Sequence, residues 1–279
     1  MTPASFEIVA ALLKRQSGLM IGRDKLYLLE TRLSALLKRE KLRDLNALAD
    51  LLRSPANDHL AREVVESMTT NESFFFRDDK PFVHFRSQAL PKFTAARPPS
   101  AALRIWSAAA SSGQEAYSLA MIVNECRPLL GNRRVEILGT DIAREQLARA
   151  RAGVYSQFEV QRGLPVQMLL KYFKKEDQQW KISDQLRSLV EFREWNLLAD
   201  PTQLGQFDVI FCRNVLIYFD QPTKSRVLDV LSRQLAPDGF LYLGGAETVL
   251  GLTSKLVPME KERGVYVRAD QIARERIRA

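Results

Sequence analysis

Leu103–Ala120 reads LRIWSAAASSGQEAYSLA: an apolar run, then serines and alanines around one glycine, Gly113, then a helix-forming stretch. Side chains this small let a ligand approach the backbone N–H groups of a strand-to-helix turn and the positive end of the helix. A second apolar run, VEILGTD, closes on Asp141. A carboxylate placed there can accept hydrogen bonds from ribose hydroxyls. Together they describe a site for a nucleoside-type cofactor. The loop lacks the G-x-G-x-x-G pattern that gives a pyrophosphate its backbone clearance. A phosphate-free nucleoside tolerates Ala and Ser there, and S-adenosylmethionine is one: adenosine, an amino-acid tail and a sulfonium.

Other residues can join that site. Glu115 either faces the cationic groups of such a cofactor or favours the positive end of the helix it opens. Asn196, with Leu197 and Leu198 after it, either meets an adenine edge and face or is a turn residue beside the core. In CRNVLIYF, Cys212–Phe219, an apolar strand ends in Arg213, Asn214 and Tyr218. A strand end loaded with these side chains is unusual for packing alone.

The elements that must position these residues can be read from periodicity. Residues 1–70 carry helical spacing only: FEIVAALLKRQSG, stopping at Gly18, then LYLLETRLSALLKREKL, LNALADLLRS and HLAREVVESMTT. The second places Leu26, Leu29, Leu33, Leu36 and Leu37 on one side. Arg32, Lys38, Arg39, Lys41 and Arg43 make another side basic. A linker over 71–100 holds Phe74, Phe75 and Phe76, too apolar to stay free, and a helix expected to end near Pro91. From residue 101 to 279 strands and helices alternate, which predicts an α/β fold with a doubly wound, mostly parallel sheet. An insertion at about 156–195 breaks the alternation, and its runs QWKIS and SLVEFREW are expected to form a small hairpin off the main sheet.

Composition narrows the chemistry. The two cysteines, Cys126 and Cys212, match no metal or redox spacing. His59 and His84 are the only histidines, which argues against a histidine metal cluster. No apolar run is long enough to span a bilayer. The opening MTPASFEIVAALLKRQSG has an early acid and no basic leader, so no cleaved signal and a cytoplasmic location are expected. The net charge of +8 fits a nucleic acid, an acidic protein partner or plain solubility, and does not choose among them.

TNESFFFR, WSAAASSGQEAYSLA, ILGTDI, WNLL, FDVIFCRNVLIYF and PDGFLYLG together resemble the chemotaxis-receptor methyltransferases, the CheR family. The resemblance covers nearly the whole chain, including the order of helical domain, linker and sheet. It implies methyl transfer from S-adenosylmethionine to glutamate side chains on the cytoplasmic helices of chemoreceptors, yielding a methyl ester and S-adenosylhomocysteine. Cofactor contacts then fall on Asn71, Ser73, Arg77, Glu115, Asp141, Asn196, Leu197, Arg213, Asn214 and Val215. Tyr218 is expected beside the reacting methyl, and Arg77 is expected to anchor the cofactor or the incoming carboxylate. The helical domain becomes a receptor-docking module, with Arg32, Lys38, Arg39, Lys41, Arg43 and Arg53 steering an acidic helical bundle. No metal, no nucleic acid and no membrane insertion are expected, and the protein is expected to be a monomer. Some family members grip a receptor tether peptide with a glycine-bearing loop in the small β insertion. The matching stretch here, KKEDQQWKIS, is short and lacks glycine, which predicts tether independence.

Two other functions stay in view. A nucleic-acid methyltransferase would share the sheet, Asp141 and the basic charge, but amino-methylating DNA enzymes carry Asn/Asp-Pro-Pro-aromatic after the fourth strand. This chain has Arg213-Asn214-Val215-Leu216 there. A cofactor-bound adaptor without turnover is the second.

Overall fold

The structure is a computed structural model and describes residues 1–272. The chain divides into two units, Met1–Thr70 with Tyr218–Thr223, and Asn71–Ile217 with the rest. In the first unit, α1 (Pro3–Ser17) starts from Thr2, whose side chain accepts the Ser5 amide. It is followed by α2 (Leu26–Arg39), α3 (Leu45–Leu51) and α4 (Asp58–Met68). Asp44 caps α3 by accepting the amides of Asn46 and Ala47. Val9 and Leu13 of α1, Leu29 and Leu33 of α2, Leu48 of α3 and Val64 of α4 are wholly buried. Each such side chain contributes roughly 1.5–3 kcal/mol of burial energy. Leu36 is buried too, whereas Leu26 and Leu37 of the expected apolar side are only half-buried. The short piece 218–223 joins this unit through Met20 N–H to the Tyr218 carbonyl at 2.9 Å and Lys14 to Asp220 at 2.8 Å.

The second unit begins with the linker. Phe75 is fully buried and meets Tyr155 and Phe173 edge-on. The helix here does not end near Pro91. It runs as α5 (Lys80–His84), a π turn over Phe85–Ala89, and α6 (Leu90–Ala96). Leu90 N–H reaches back five residues to the Phe85 carbonyl. This wider turn absorbs the missing N–H and the ring of Pro91, which would otherwise break the helix.

Then come β1 (Leu103–Ser107), α7 (Gln114–Glu125), α8 (Arg127–Leu130), β2 (Val135–Asp141), α9 (Arg144–Ala152) and β3 (Val154–Ser156). They lead to α10 (Gln157–Gln161), α11 (Val166–Tyr172), β4 (Phe173–Glu176), β5 (Gln179–Ile182), α12 (Asp184–Arg187) and β6 (Val190–Glu194). The chain continues with β7 (Phe207–Cys212), α13 (Gln221–Gln234), β8 (Leu235–Leu243), β9 (Leu256–Pro258) and β10 (Val265–Arg268). The main sheet has seven strands in the order β6-β2-β1-β7-β8-β10-β9. The first five are parallel, and β10 is antiparallel to both of its neighbours. Strand β7 is buried along its whole length, as a central parallel strand must be. Strand order reverses between β1 and β7, so the carboxyl ends of these strands flank the crevice where ligands of such sheets sit.

The insertion differs from expectation. VEFRE is β6, an edge strand of the main sheet parallel to β2, and not part of a small hairpin. The small sheet has three strands in the order β3-β5-β4, so QWKI pairs with VYS and FKKE instead. Its inner face, with Tyr155, Phe173 and Ile182, joins the main core. At its root a Cβ on Gly163 would collide with the Phe75 carbonyl, and Gly163 has φ +80°, so only glycine fits. No helix among the described residues is long and apolar enough to cross a membrane.

Hydrogen bonds from Lys14 and Thr223 draw the Asp220 carboxyl down from its ordinary 3.8 to about 2. A depressed carboxylate stabilises the fold above its unfolded pKa, and that stability is lost as pH falls through the folded value. Asp220→Asn is therefore expected to lower the thermal unfolding midpoint at about pH 7. The difference should be much smaller near pH 2, where about half of the wild-type carboxyl is already protonated. Melts at the two pH values check this.

Candidate functional site

The turn after β1 is held from three sides. Ala108 N–H donates to the Phe211 carbonyl at 2.7 Å and Ala110 N–H to the Thr140 carbonyl at 2.8 Å, which pins the turn between the ends of β7 and β2. Ser111 takes a left-handed conformation, φ 50°. Its amide donates to Asp141 Oδ2 at 2.8 Å and its hydroxyl to the Asn71 carbonyl at 2.9 Å. The Ser112 carbonyl accepts from the Tyr155 hydroxyl at 2.8 Å. The tiny side chains of SAAASSG thus admit protein backbone and side chains as close neighbours. Two residues expected at one site, Asn71 and Asp141, thus lie together on this turn.

Asp141 has a second amide on it, Ala143 N–H to Oδ1 at 2.9 Å. A carboxylate offers about four acceptor positions, so a ribose hydroxyl is compatible with both. Just past the neighbouring strand β6, Trp195 N–H donates to the Asp141 carbonyl at 2.9 Å, bringing Asn196 alongside. Asn196 Oδ1 accepts the Leu198 amide at 2.9 Å, the turn geometry that the sequence left open. Leu197 is half-buried next to it.

The strand-end charges form a second group. Arg213 leaves β7 with its side chain 1% exposed. Its Nη1 donates to Glu115 Oε2 at 3.1 Å, and its Nη2 to Asp78 Oδ2 at 2.8 Å and the Arg77 carbonyl at 2.6 Å. Its Nε has no acceptor among the described residues. Glu115 also accepts from the Ser107 hydroxyl at 2.7 Å. Burial pushes the Glu115 carboxyl up, while Arg213 and Ser107 pull it back towards the ionised form. The Arg77 side chain turns to the Glu72 carbonyl at 2.9 Å and lies 5.4 Å from the Phe74 ring centre. Ser73 is half-buried between them in sequence.

Asn214 and Val215 follow Arg213, and their amides both donate to the carboxylate of Glu247 at 2.9 Å. Sequence reading passed over Glu247. Its signal was present as the acid closing GGAE, just past β8, much as Asp141 closes β2. Tyr218 lies four residues beyond Asn214 and falls in the helical unit, where its carbonyl accepts from Met20.

The basic residues of the helical unit divide. Arg32 is occupied at the end of α4, donating to the carbonyls of Met68 at 2.7 Å and Thr69 at 3.0 Å and to the Thr70 hydroxyl at 3.1 Å. Arg39 pairs with Glu40 and Glu63, Arg43 with Asp44 and Arg53 with Asp50. Lys38 and Lys41 are exposed, and neither has an ion-pair partner among the described residues.

This donor and acceptor set suits an adenosyl amino acid: Asp141 for hydroxyls, and the acids around Arg213 for a cationic centre. The comparisons with known proteins match a family that binds this class of cofactor. A profile described as "CheR methyltransferase, SAM binding domain" matches residues 71–265, and one described as "CheR methyltransferase, all-alpha domain" matches residues 4–69. Chemotaxis protein methyltransferase Cher2 of Pseudomonas putida is 36% identical over 268 residues, 95% of this chain and 97% of its own. Chemotaxis protein methyltransferase 1 of Vibrio cholerae is 41% identical over 261 residues, 91% and 92%.

Asp141→Asn sets an amide N–H₂ against one of two backbone donors. It is expected to reduce unfolding free energy by about 1–3 kcal/mol, read from urea titration. An unchanged midpoint would mean that Asp141 does not clamp the turn.

Proposed function

The chain belongs to the CheR methyltransferase family, and on that premise we propose that it esterifies glutamate side chains on the cytoplasmic helices of chemoreceptors. It is a protein-glutamate O-methyltransferase that uses S-adenosylmethionine. The observation that carries the receptor reading is the match of both the helical and the cofactor domains to the family, in one chain and in the family's order. Bound S-adenosylmethionine supplies a methyl group on a sulfonium, and S-adenosylhomocysteine is the product. A glutamate carboxylate is ionised well below neutral pH, so no general base is needed. What the chain's residues have to do is align and exclude water.

In this reading Asp141 holds the ribose and Asn71, Ser73, Asn196 and Leu197 frame the adenosine. Glu115, Arg213, Asn214 and Val215 line the charged end. Arg77 anchors the cofactor or the incoming carboxylate, and Tyr218 stands beside the reacting methyl. Residues 1–70 dock the receptor, 71–100 contribute to the cofactor site, and 101–279 hold it. Lys38 and Lys41 become the foremost steering cations, because the arginines around them are already engaged. Independence from a tether peptide is supported by the turn between β4 and β5, only Asp177 and Gln178 and without glycine. A cytoplasmic location and a monomeric state complete the proposal.

The deciding assay incubates the protein with labelled S-adenosylmethionine and receptor-bearing membranes, then raises the pH. Esters release methanol, and methylated bases or amines do not. Base-labile methanol is expected, with Tyr218→Phe lowering kcat; no methanol from wild type refutes the reading, and an unchanged Tyr218→Phe removes its hydroxyl from the mechanism. Lys38→Glu with Lys41→Glu should raise KM for receptor by about 3- to 10-fold and leave S-adenosylhomocysteine affinity alone. Equal loss of both would count against docking by this face.

A further inference from the structure

Glu247 lies past the glycine pair Gly244–Gly245 and is only 8% exposed. Its Oε1 accepts the amides of Val215 at 2.9 Å and Leu216 at 2.7 Å. Its Oε2 accepts those of Asn214 at 2.9 Å and Gly244 at 2.6 Å. Consecutive amides converging on one anion form a nest, a shape that needs a left-handed residue. Asn214 supplies it, with φ 59°. A left-handed non-glycine residue persists only where its surroundings hold it.

The neighbouring strand is shaped to the same end. A Cβ on Gly244 would fall 2.8 Å from Asn214 Nδ2 and 2.8 Å from Glu247 Oε2, so a larger residue would push the loop and its acid apart. Gly244 directly follows Leu243, which is the register partner of Cys212 on β7. Glu247 therefore stitches together the carboxyl ends of two adjacent parallel strands, just where Arg213 and Asn214 emerge. Its acceptor positions are filled by backbone donors, so it is not built to hold a ligand itself.

We infer that Glu247 is a positioning residue for the cofactor. By fixing the backbone of Asn214–Leu216 it sets the direction in which Asn214 is presented and anchors the segment that follows Arg213. The inference rests on the S-adenosylmethionine assignment above.

Glu247→Gln tests it cleanly. Each carboxylate oxygen holds two amides, so whichever one becomes –NH₂, two amides lose their acceptor and face a donor. The whole purified chain is compared with wild type by amide hydrogen exchange at 214–216, by calorimetry with S-adenosylhomocysteine, and by kcat and KM. Exchange at 214–216 should accelerate, and the S-adenosylhomocysteine Kd should rise by about 10- to 100-fold. KM for S-adenosylmethionine should rise with it, while KM for receptor stays put. Glu247→Asp keeps the charge and should recover part of the affinity; it carries the same readouts should Glu247→Gln fail to fold. An acid that is only structural would lower the melting temperature and leave Kd, measured well below the melt, at the wild-type value. That result, or unchanged exchange at 214–216, overturns the inference. Wild-type protein that takes up no S-adenosylhomocysteine would instead bring down the cofactor assignment, and the inference with it.

Discussion

A guanidinium as buried as that of Arg213 has to be neutralised where it lies, and much of the strand-end architecture follows from this. Removing a charge from water is unfavourable unless partners and hydrogen bonds replace the solvent. Arg213 collects its partners from segments far apart in the chain: Glu115 at the start of α7, and Asp78 with the Arg77 carbonyl in the linker. The guanidinium also lies 5.5 Å from the ring centre of Phe82, which stacks on Phe211 of β7. One ion pair network thus ties helix, linker and central strand to the same few ångströms. Glu115 and Asp78 thus share one guanidinium, which holds both acids at the end of the central strand.

The turn after β1 shows a second layer of the same design. Its shape is not intrinsic to SAAASSG, since a left-handed serine is disfavoured. The shape is imposed by Asp141, the Asn71 carbonyl and the neighbouring strand ends. Small side chains are what permit those neighbours to come close enough to impose it. The turn therefore owes its conformation to the backbone crowded around it and not to its own residues.

Local pattern made a large part of this legible. The apolar runs of β1, β2 and β7 announce a buried parallel sheet, and the acids and polar residues at their ends fall where such sheets bind ligands. Apart from Pro91, whose π turn is local, the misreadings share a physical cause, namely contacts between residues distant in sequence. VEFRE alternates because it is an edge strand with one exposed face, and its partner β2 lies about fifty residues earlier. Nothing local separates that from a hairpin strand. Pro91 signals a helix end until the π turn before it is known. Arg32 looks like surface charge until the open end of α4 is placed beside it. Glu247 matters through amides some thirty residues away.

The contact between Gly163 and the Phe75 carbonyl has a consequence for how this chain can diversify. The root of the small sheet is fused to the linker by a backbone approach that leaves no space for a side chain, while the far end of the β4–β5 ribbon, at Asp177 and Gln178, is exposed. A change at that tip meets solvent and leaves the foundation undisturbed. Altering the root propagates into the segment that carries Asn71 and Arg77. The insertion is accordingly modular at one end only, open to change at its tip and locked at its base.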